Sequence, residues 1–188
     1  MRIITQRLRL REFESGDWPA VLAYQSDPRY LRFYPWEDRI EQDAREFVEA
    51  FLVLQKEQPR LNFQLVVEIK GEGKLIGNCG IRIDEPGGDV ANIGYEIDPE
   101  YWGHGYATEA ASTMVNFGFL RLKMRRIWAE CLAENQASAR VLEKTGMKLS
   151  VFKPKQAFIK GGWYDQLVYA IDYQEWSGNN MGGSFRDD

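Results

Sequence analysis

The residues best suited to chemistry in this sequence sit at the end of one strand and in the loop behind it. Over residues 91–98, Ile93, Tyr95 and Ile97 alternate with Asn92, Gly94 and Glu96, the period of a half-buried strand. Asp98-Pro99 stops it, because proline cannot donate to a sheet ladder. The loop Trp102-Gly-His-Gly-Tyr106 follows, and an apolar helical pattern starts at once with Ala107, Ala110, Ala111, Met114, Val115 and Gly118. Strand, glycine loop and helix N-terminus in that order make a seat for an anion. The first amides of a helix lack partners, and the macrodipole adds partial positive charge there. Gly103 and Gly105 let the backbone approach a ligand closely. Glu96, a carboxylate at the strand end, is the candidate general base beside that seat; on alternation alone it could equally face solvent.

The loop excludes two common phosphate binders. A Walker-type loop needs Lys-Ser/Thr after its last glycine, and Tyr106 follows Gly105. A dinucleotide fingerprint needs a third glycine where Thr108 stands.

The elements that must position these residues can be read in chain order. Residues 2–11 alternate as a first strand. Ser15-Gly-Asp17 caps a helix begun by Trp18, Val21 and Leu22, and Asp27-Pro28 ends it. The stretch 30–36 is aromatic but not periodic. Over 39–58, Ala44, Phe47, Val48, Phe51 and Leu54 give a second helix. Asn62–Ile69 and Lys74–Ile83 are strands joined by Gly71-Glu-Gly73. The helix behind the glycine loop ends near Leu122. Arg126–Leu132 is the next strand. Asn135 caps a helix that stops at Gly146, and strands over 147–152 and 162–171 close the pattern. The order is β-α-α-β-β-β-α-β-α-β-β, one mixed α+β domain over 1–176. The glycine-rich tail 177–188 is expected to be disordered.

Composition narrows the class. The chain has 188 residues, 44% hydrophobic, with a net charge of −4, enough to bury a core and a poor match for general nucleic-acid binding. No apolar run is long enough for a signal peptide or membrane span, so a cytoplasmic protein is expected. Cys79 and Cys131 lie in strand-like stretches and are expected as buried thiols, and a lone His104 makes no His-rich metal site.

The motifs then resemble those of the GNAT acetyltransferases. Gly105 and Ala107 match the family's pyrophosphate loop, Gln/Arg-x-x-Gly-x-Gly/Ala, although Trp102 stands where Gln or Arg is usual. Asn135-x-x-Ser138-x-x-Val-Leu-Glu-Lys-x-Gly146-Met147, Gly105-Tyr-Ala-Thr-Glu-Ala110 and Trp163-Tyr-Asp165-x-x-Val168-Tyr follow in the family's order. The chain looks most like the branch that includes the ribosomal-protein alanine N-acetyltransferases. The resemblance implies a central, mostly antiparallel sheet with a splayed strand pair, flanked by helices, and acetyl transfer from acetyl-CoA to a primary amine.

It also implies roles. The backbone of Trp102, Gly103, His104, Gly105, Tyr106, Ala107 and Thr108 would hold the diphosphate, and an N–H near Ile97 would face the thioester. Asn135 and Ser138 would contact coenzyme A, with Ser138 the proton donor to the thiolate, since no tyrosine lies between Asn135 and Gly146. Arg140 and Lys144 would approach the 3′-phosphate. Phe33, Tyr34 and Trp36 would wall the acceptor pocket, faced by Trp163, Tyr164 and Asp165. The acceptor is a protein N-terminus or a small amine. A non-catalytic acyl-CoA-binding module on the same fold is the competing reading, and a homodimer through a C-terminal strand edge is a further expectation.

Overall fold

A computed structural model describes residues 1–180 of the chain. Eight strands form one sheet: β1 (Arg2–Ile4), β2 (Leu8–Glu12), β3 (Asn62–Ile69), β4 (Lys74–Ile83), β5 (Val90–Ile97), β6 (Arg126–Leu132), β7 (Lys148–Ile159) and β8 (Gly162–Asp172). Their order is β1-β2-β3-β4-β5-β6-β8-β7. Only β5 and β6 run parallel. The helix between them makes the crossover that a parallel pair requires. The helices are α1 (Trp18–Gln25), α2 (Pro28–Leu31), α3 (Glu41–Leu54), α4 (Tyr106–Leu120), α5 (Gln136–Lys144) and α6 (Tyr173–Asn180).

Strand alternation gives the sheet two differently filled faces. On one, Leu65, Cys79, Ile81, Ile93 and Ile127 pack with Ala110, Met114 and Phe119 of α4 and Leu142 of α5. On the other, Val66 packs with Val21 and Tyr24 of α1, Tyr30 of α2, and Ala44 and Val48 of α3. The second face is the unusual one. Beside Val66 it carries Gln64, Asn78, Arg82 and Glu96, which lie under the helices and along a cavity.

Three readings from the sequence change. Residues 2–11 are not one strand, because Thr5 turns the chain: its N–H donates to the Leu8 carbonyl at 2.9 Å and its Oγ1 accepts from the Leu8 N–H at 2.9 Å. The aromatic stretch contains the short helix α2, capped by the Asp27 side chain accepting from the Arg29 N–H. Ser177 to Asn180 belong to α6, anchored by Trp176 against Phe119 at 5.1 Å between ring centres, so that part of the expected tail is helical; the remainder, 181–188, lies outside the described residues. Both cysteines are buried free thiols, and burial pushes Cys131 up to about 11. No described helix is long and apolar enough to cross a membrane.

Candidate active site

The site is built around a parting of strands. β5 pairs with β4 along its whole length, and β6 pairs with β8 along its whole length. β5 and β6 touch only at Val90, Ala91 and Asn92, so they diverge from Ile93 onward. The Asp98 N–H donates to the Ile76 carbonyl on β4. Backbone direction alternates along a strand, so the Ile97 N–H and C=O point the other way, into the opening. The Ile97 carbonyl there accepts a 2.6 Å hydrogen bond from Trp102 Nε1. The unusual first residue of the loop therefore ties its side chain to the strand end, and it lines the cavity as well.

The loop itself is held from outside. Gly105 caps α4 at φ +81°, a left-handed conformation that favours glycine. The first amide of α4 with a backbone partner is that of Glu109, bonded to the Gly105 carbonyl, so the amides of Tyr106, Ala107 and Thr108 stay open for an anion. Arg7 donates to the His104 carbonyl at 2.8 Å and to Glu109 Oε2 at 2.7 Å. Thr5 Oγ1 adds a 2.6 Å bond to Glu109 Oε1. Burial alone would raise the Glu109 carboxyl; the bonds from Thr5 and Arg7 overcome that and hold it below its ordinary range. His104 is exposed and does not line the cavity. Its ring stays with the loop, Nδ1 lying 2.9 Å from the Trp102 carbonyl oxygen.

One cavity of ≈ 950 Å³ joins this opening to the helical face of the sheet. Along one side lie Gly103, Gly105, Tyr106, Ala107 and Thr108, then Asn135, Ser138, Arg140 and Lys144. Asn135 Oδ1 accepts the Ser138 N–H at 3.1 Å, the expected cap. Ser138 Oγ lies 2.9 Å from the Tyr95 hydroxyl. Tyr95 was not among the sequence candidates; it places a hydroxyl against Ser138 on α5, a helix with no tyrosine of its own. Burial pushes its pKa up, so the hydroxyl keeps its proton.

Glu96 stands at the junction of the two halves. Its Oε2 accepts from Asn78 Nδ2 at 3.0 Å, the Tyr24 hydroxyl at 3.1 Å and Gln25 Nε2 at 3.2 Å. The Tyr30 hydroxyl also acts on the carboxyl; Oε1 has no hydrogen bond of ordinary geometry from the described residues, and Glu96 lines the cavity. Burial raises the Glu96 carboxyl above the ordinary carboxylate range despite the donors, which act in the opposite direction. A carboxylate fixed by one oxygen and open at the other is the geometry of a base. Asn78 is itself oriented by Gln64 at 2.5 Å, and Gln25 by Arg39 at 3.0 Å. The polar spacing Asn78 and Arg82 within an otherwise apolar strand was the sequence signal for this network.

On the other side Phe33 and Tyr34 line the cavity. Trp36 does not. It stacks behind Tyr34 at 4.9 Å, with the Arg39 guanidinium over its own ring, 4.4 Å from the centroid. Trp163, Tyr164 and Asp165 do not reach the cavity either. Trp163 turns outward onto Phe158 at 5.2 Å, the Tyr164 ring lies back over Gly162, and Asp165 Oδ1 is taken by the Lys155 N–H at 2.8 Å. Their hairpin, β7–β8, is irregular between Lys153 and Ala157, and it presents Ala157, Ile159 and Gln166 instead.

With this geometry in place, the chain can be set against known proteins. The acetyltransferase (GNAT) domain family matches residues 7–148. An uncharacterized N-acetyltransferase of Bacillus subtilis (strain 168), YnaD, is 36% identical over 178 residues, covering 94% of this chain and 100% of the relative. A crystal structure of a GNAT-family acetyltransferase from Bacillus anthracis superposes with a TM-score of 0.80 at 34% identity, covering 93% of this chain and 99% of that one. A ribosomal L7/L12 alpha-N-protein acetyltransferase, solved in complex with coenzyme A, shares the fold at a TM-score of 0.81 and 20% identity, covering 92% of this chain and 98% of that one.

Proposed function

The chain belongs to the acetyltransferase (GNAT) family, and on that premise we propose that it moves the acetyl group of acetyl-CoA directly to a primary amine. The observation that carries this reading is the one cavity that holds the open amides of α4, the unpaired edge of β5 and the free Oε1 of Glu96. The residues fit the donor. A diphosphate suits the amides of Tyr106, Ala107 and Thr108. Arg140 and Lys144 on α5 bring positive charge to the same side of the cavity. The unpaired β5 edge offers hydrogen bonds to an extended arm with amides of its own, and the Ile97 N–H is directed at the acyl carbonyl at its end.

Each step then has a residue. Glu96 Oε1 takes a proton from the bound ammonium, directly or through one water. The freed electron pair on nitrogen forms the new C–N bond as the thioester C–S bond breaks. Ser138 Oγ gives the departing sulfur a proton, and the Ser138–Tyr95 pair regains one, through water, from the nitrogen as the adduct collapses to the amide. Glu96 returns its proton to solvent. Phe33 and Tyr34 keep water from the acceptor amine.

Thiol release from acetyl-CoA over a panel of amines and peptides, with mass detection of the acetylated product, tests this reading. Turnover of any amine supports it. Coenzyme binding without turnover on any amine would favour a binding module. The exposed β7 edge, with Leu149, Val151 and Phe152 on its surface, supports pairing of two copies.

A further inference from the structure

The acceptor half of the cavity holds a second charged group that acetyl transfer as such does not use. Arg82 lies on β4 and lines the cavity on the same sheet face as Glu96. Its Nη1 donates to Asn92 Oδ1 at 3.1 Å and its Nη2 to Gln64 Oε1 at 3.0 Å. Both partners are neutral amides. Among the described residues, no carboxylate forms an ion pair with it. Arg29, which also lines the cavity, differs in being paired with Asp27 and Glu100. Burial lowers the Arg82 pKa, although the charge of Glu96 acts in the opposite direction. A guanidinium aimed by amides, with no carboxylate in ion-pair contact, has room for an anion.

Its position sets the spacing. A Cβ on Gly94 would stand 3.3 Å from Arg82 Nη1, so glycine there lets the guanidinium lie over the β5 backbone. Gly94 precedes Glu96 by two positions on the same face, a separation of roughly 7 Å along a strand. A carboxylate oxygen open to the cavity and a guanidinium thus face one space across the length of a small molecule. An ammonium and a carboxylate a few bonds apart fill that gap with both charges answered.

We propose that the acceptor is a free amino carboxylate of the α-amino acid type, its ammonium meeting Glu96 Oε1 and its carboxylate pairing with Arg82. This rests on the acetyl-transfer reading and narrows its acceptor. A protein N-terminus presents an amide where Arg82 requires an anion. A polyamine would place a second cation against it. Phe33, Tyr34, Phe47 and Phe51 line the same half of the cavity, so an apolar or aromatic side chain suits the substrate.

The test needs no variant to begin. Binding of L-phenylalanine and L-leucine, of their amides, and of 2-phenylethylamine to the coenzyme A complex is measured by calorimetry. The acids are expected to bind about 10²-fold tighter than the amides, the usual cost of removing one partner of a desolvated charge pair. Arg82→Met should abolish that preference while acetyl-CoA still binds, which reports an intact fold; Arg82→Lys should keep part of it. The ratio of kcat/KM for acid over amide should move in parallel, through KM. Equal binding of acid and amide to the wild-type protein, no binding of any amino acid, or turnover confined to peptide N-termini overturns the proposal and leaves acetyl transfer standing. Carboxylate-dependent binding lost in Arg82→Met, with no thiol released on any amine, upholds the Arg82 site and overturns the transfer reading instead.

Discussion

The Tyr95 hydroxyl on β5 lies 2.9 Å from Ser138 Oγ and 3.0 Å from the Ser138 carbonyl oxygen on α5. One phenol proton can serve only one of these acceptors at a time. When it goes to the carbonyl, the serine hydroxyl donates to Tyr95; when it goes to Oγ, the serine proton is free for the cavity. The pair is therefore a single donor with two members.

Tyr95→Phe and Ser138→Ala should each lower kcat by about tenfold at nearly unchanged acetyl-CoA affinity, since a thiolate leaves with modest help from an acid. The double variant should be little worse than either single one, because residues acting as a unit are not additive. Single-turnover rates alongside calorimetric titration of acetyl-CoA check this. A loss confined to affinity would make both of them binding residues.

Glu96→Gln should keep the three hydrogen bonds of the network in size and reach, and lower the rate by about 10²-fold. The raised carboxyl fixes the sign of the pH effect. The base form exists only above the pKa, so wild-type kcat/KM should fall as pH drops through a value above the ordinary ~4.3 of a glutamate. The variant should lack that limb and recover part of its rate at high pH, where the amine arrives unprotonated. Superimposable pH profiles would remove Glu96 from the proton path.

Gly105→Val should weaken acetyl-CoA binding by about tenfold or more. A β-branched residue is strained at φ +81°, and the α4 amides would lose their aim. His104→Ala, at an exposed side chain outside the cavity, should cost much less. Equal losses in the two variants, measured by titration, would mean that the imidazole and not the backbone holds the anion.

Arg7→Gln should weaken coenzyme binding several-fold, on the order of threefold to tenfold, with little change in kcat, because Arg7 ties the His104 carbonyl and Glu109 to the β1–β2 turn without reaching the cavity. The depressed Glu109 carboxyl adds a pH signature. Its contribution to stability is present above the ordinary glutamate value and is lost as pH falls through the folded-state value. Acid denaturation of Arg7→Gln should therefore differ less from neutral behaviour than that of the wild type.

Much of the site was legible along the chain because it is local. The β5 strand, the glycine loop and α4 are contiguous, and their order alone makes an anion seat. Asn135 and Ser138 are three positions apart, within one helical turn, so the cap follows from spacing. The family motifs fell on the same residues.

What the chain alone left open is what alternation and spacing cannot reach. Period 2 puts Glu96 on a face, but α1 packed over that face turns it from a solvent residue into a half-buried one, through Tyr24 and Gln25 at sequence separations of 72 and 71. Trp163, Tyr164 and Asp165 had the expected sequence position, and the irregular β7–β8 ladder turned all of them away from the cavity. Tyr95 and Ser138 are 43 residues apart and meet because β5 and α5 face each other across the parted strands. Arg82 carries no signal of its own in the strand pattern; the fold places it over Gly94 with amides for partners. Local periodicity determined which residues could share a face; burial, and the partners that burial imposes, decided which of them carry charge into the cavity.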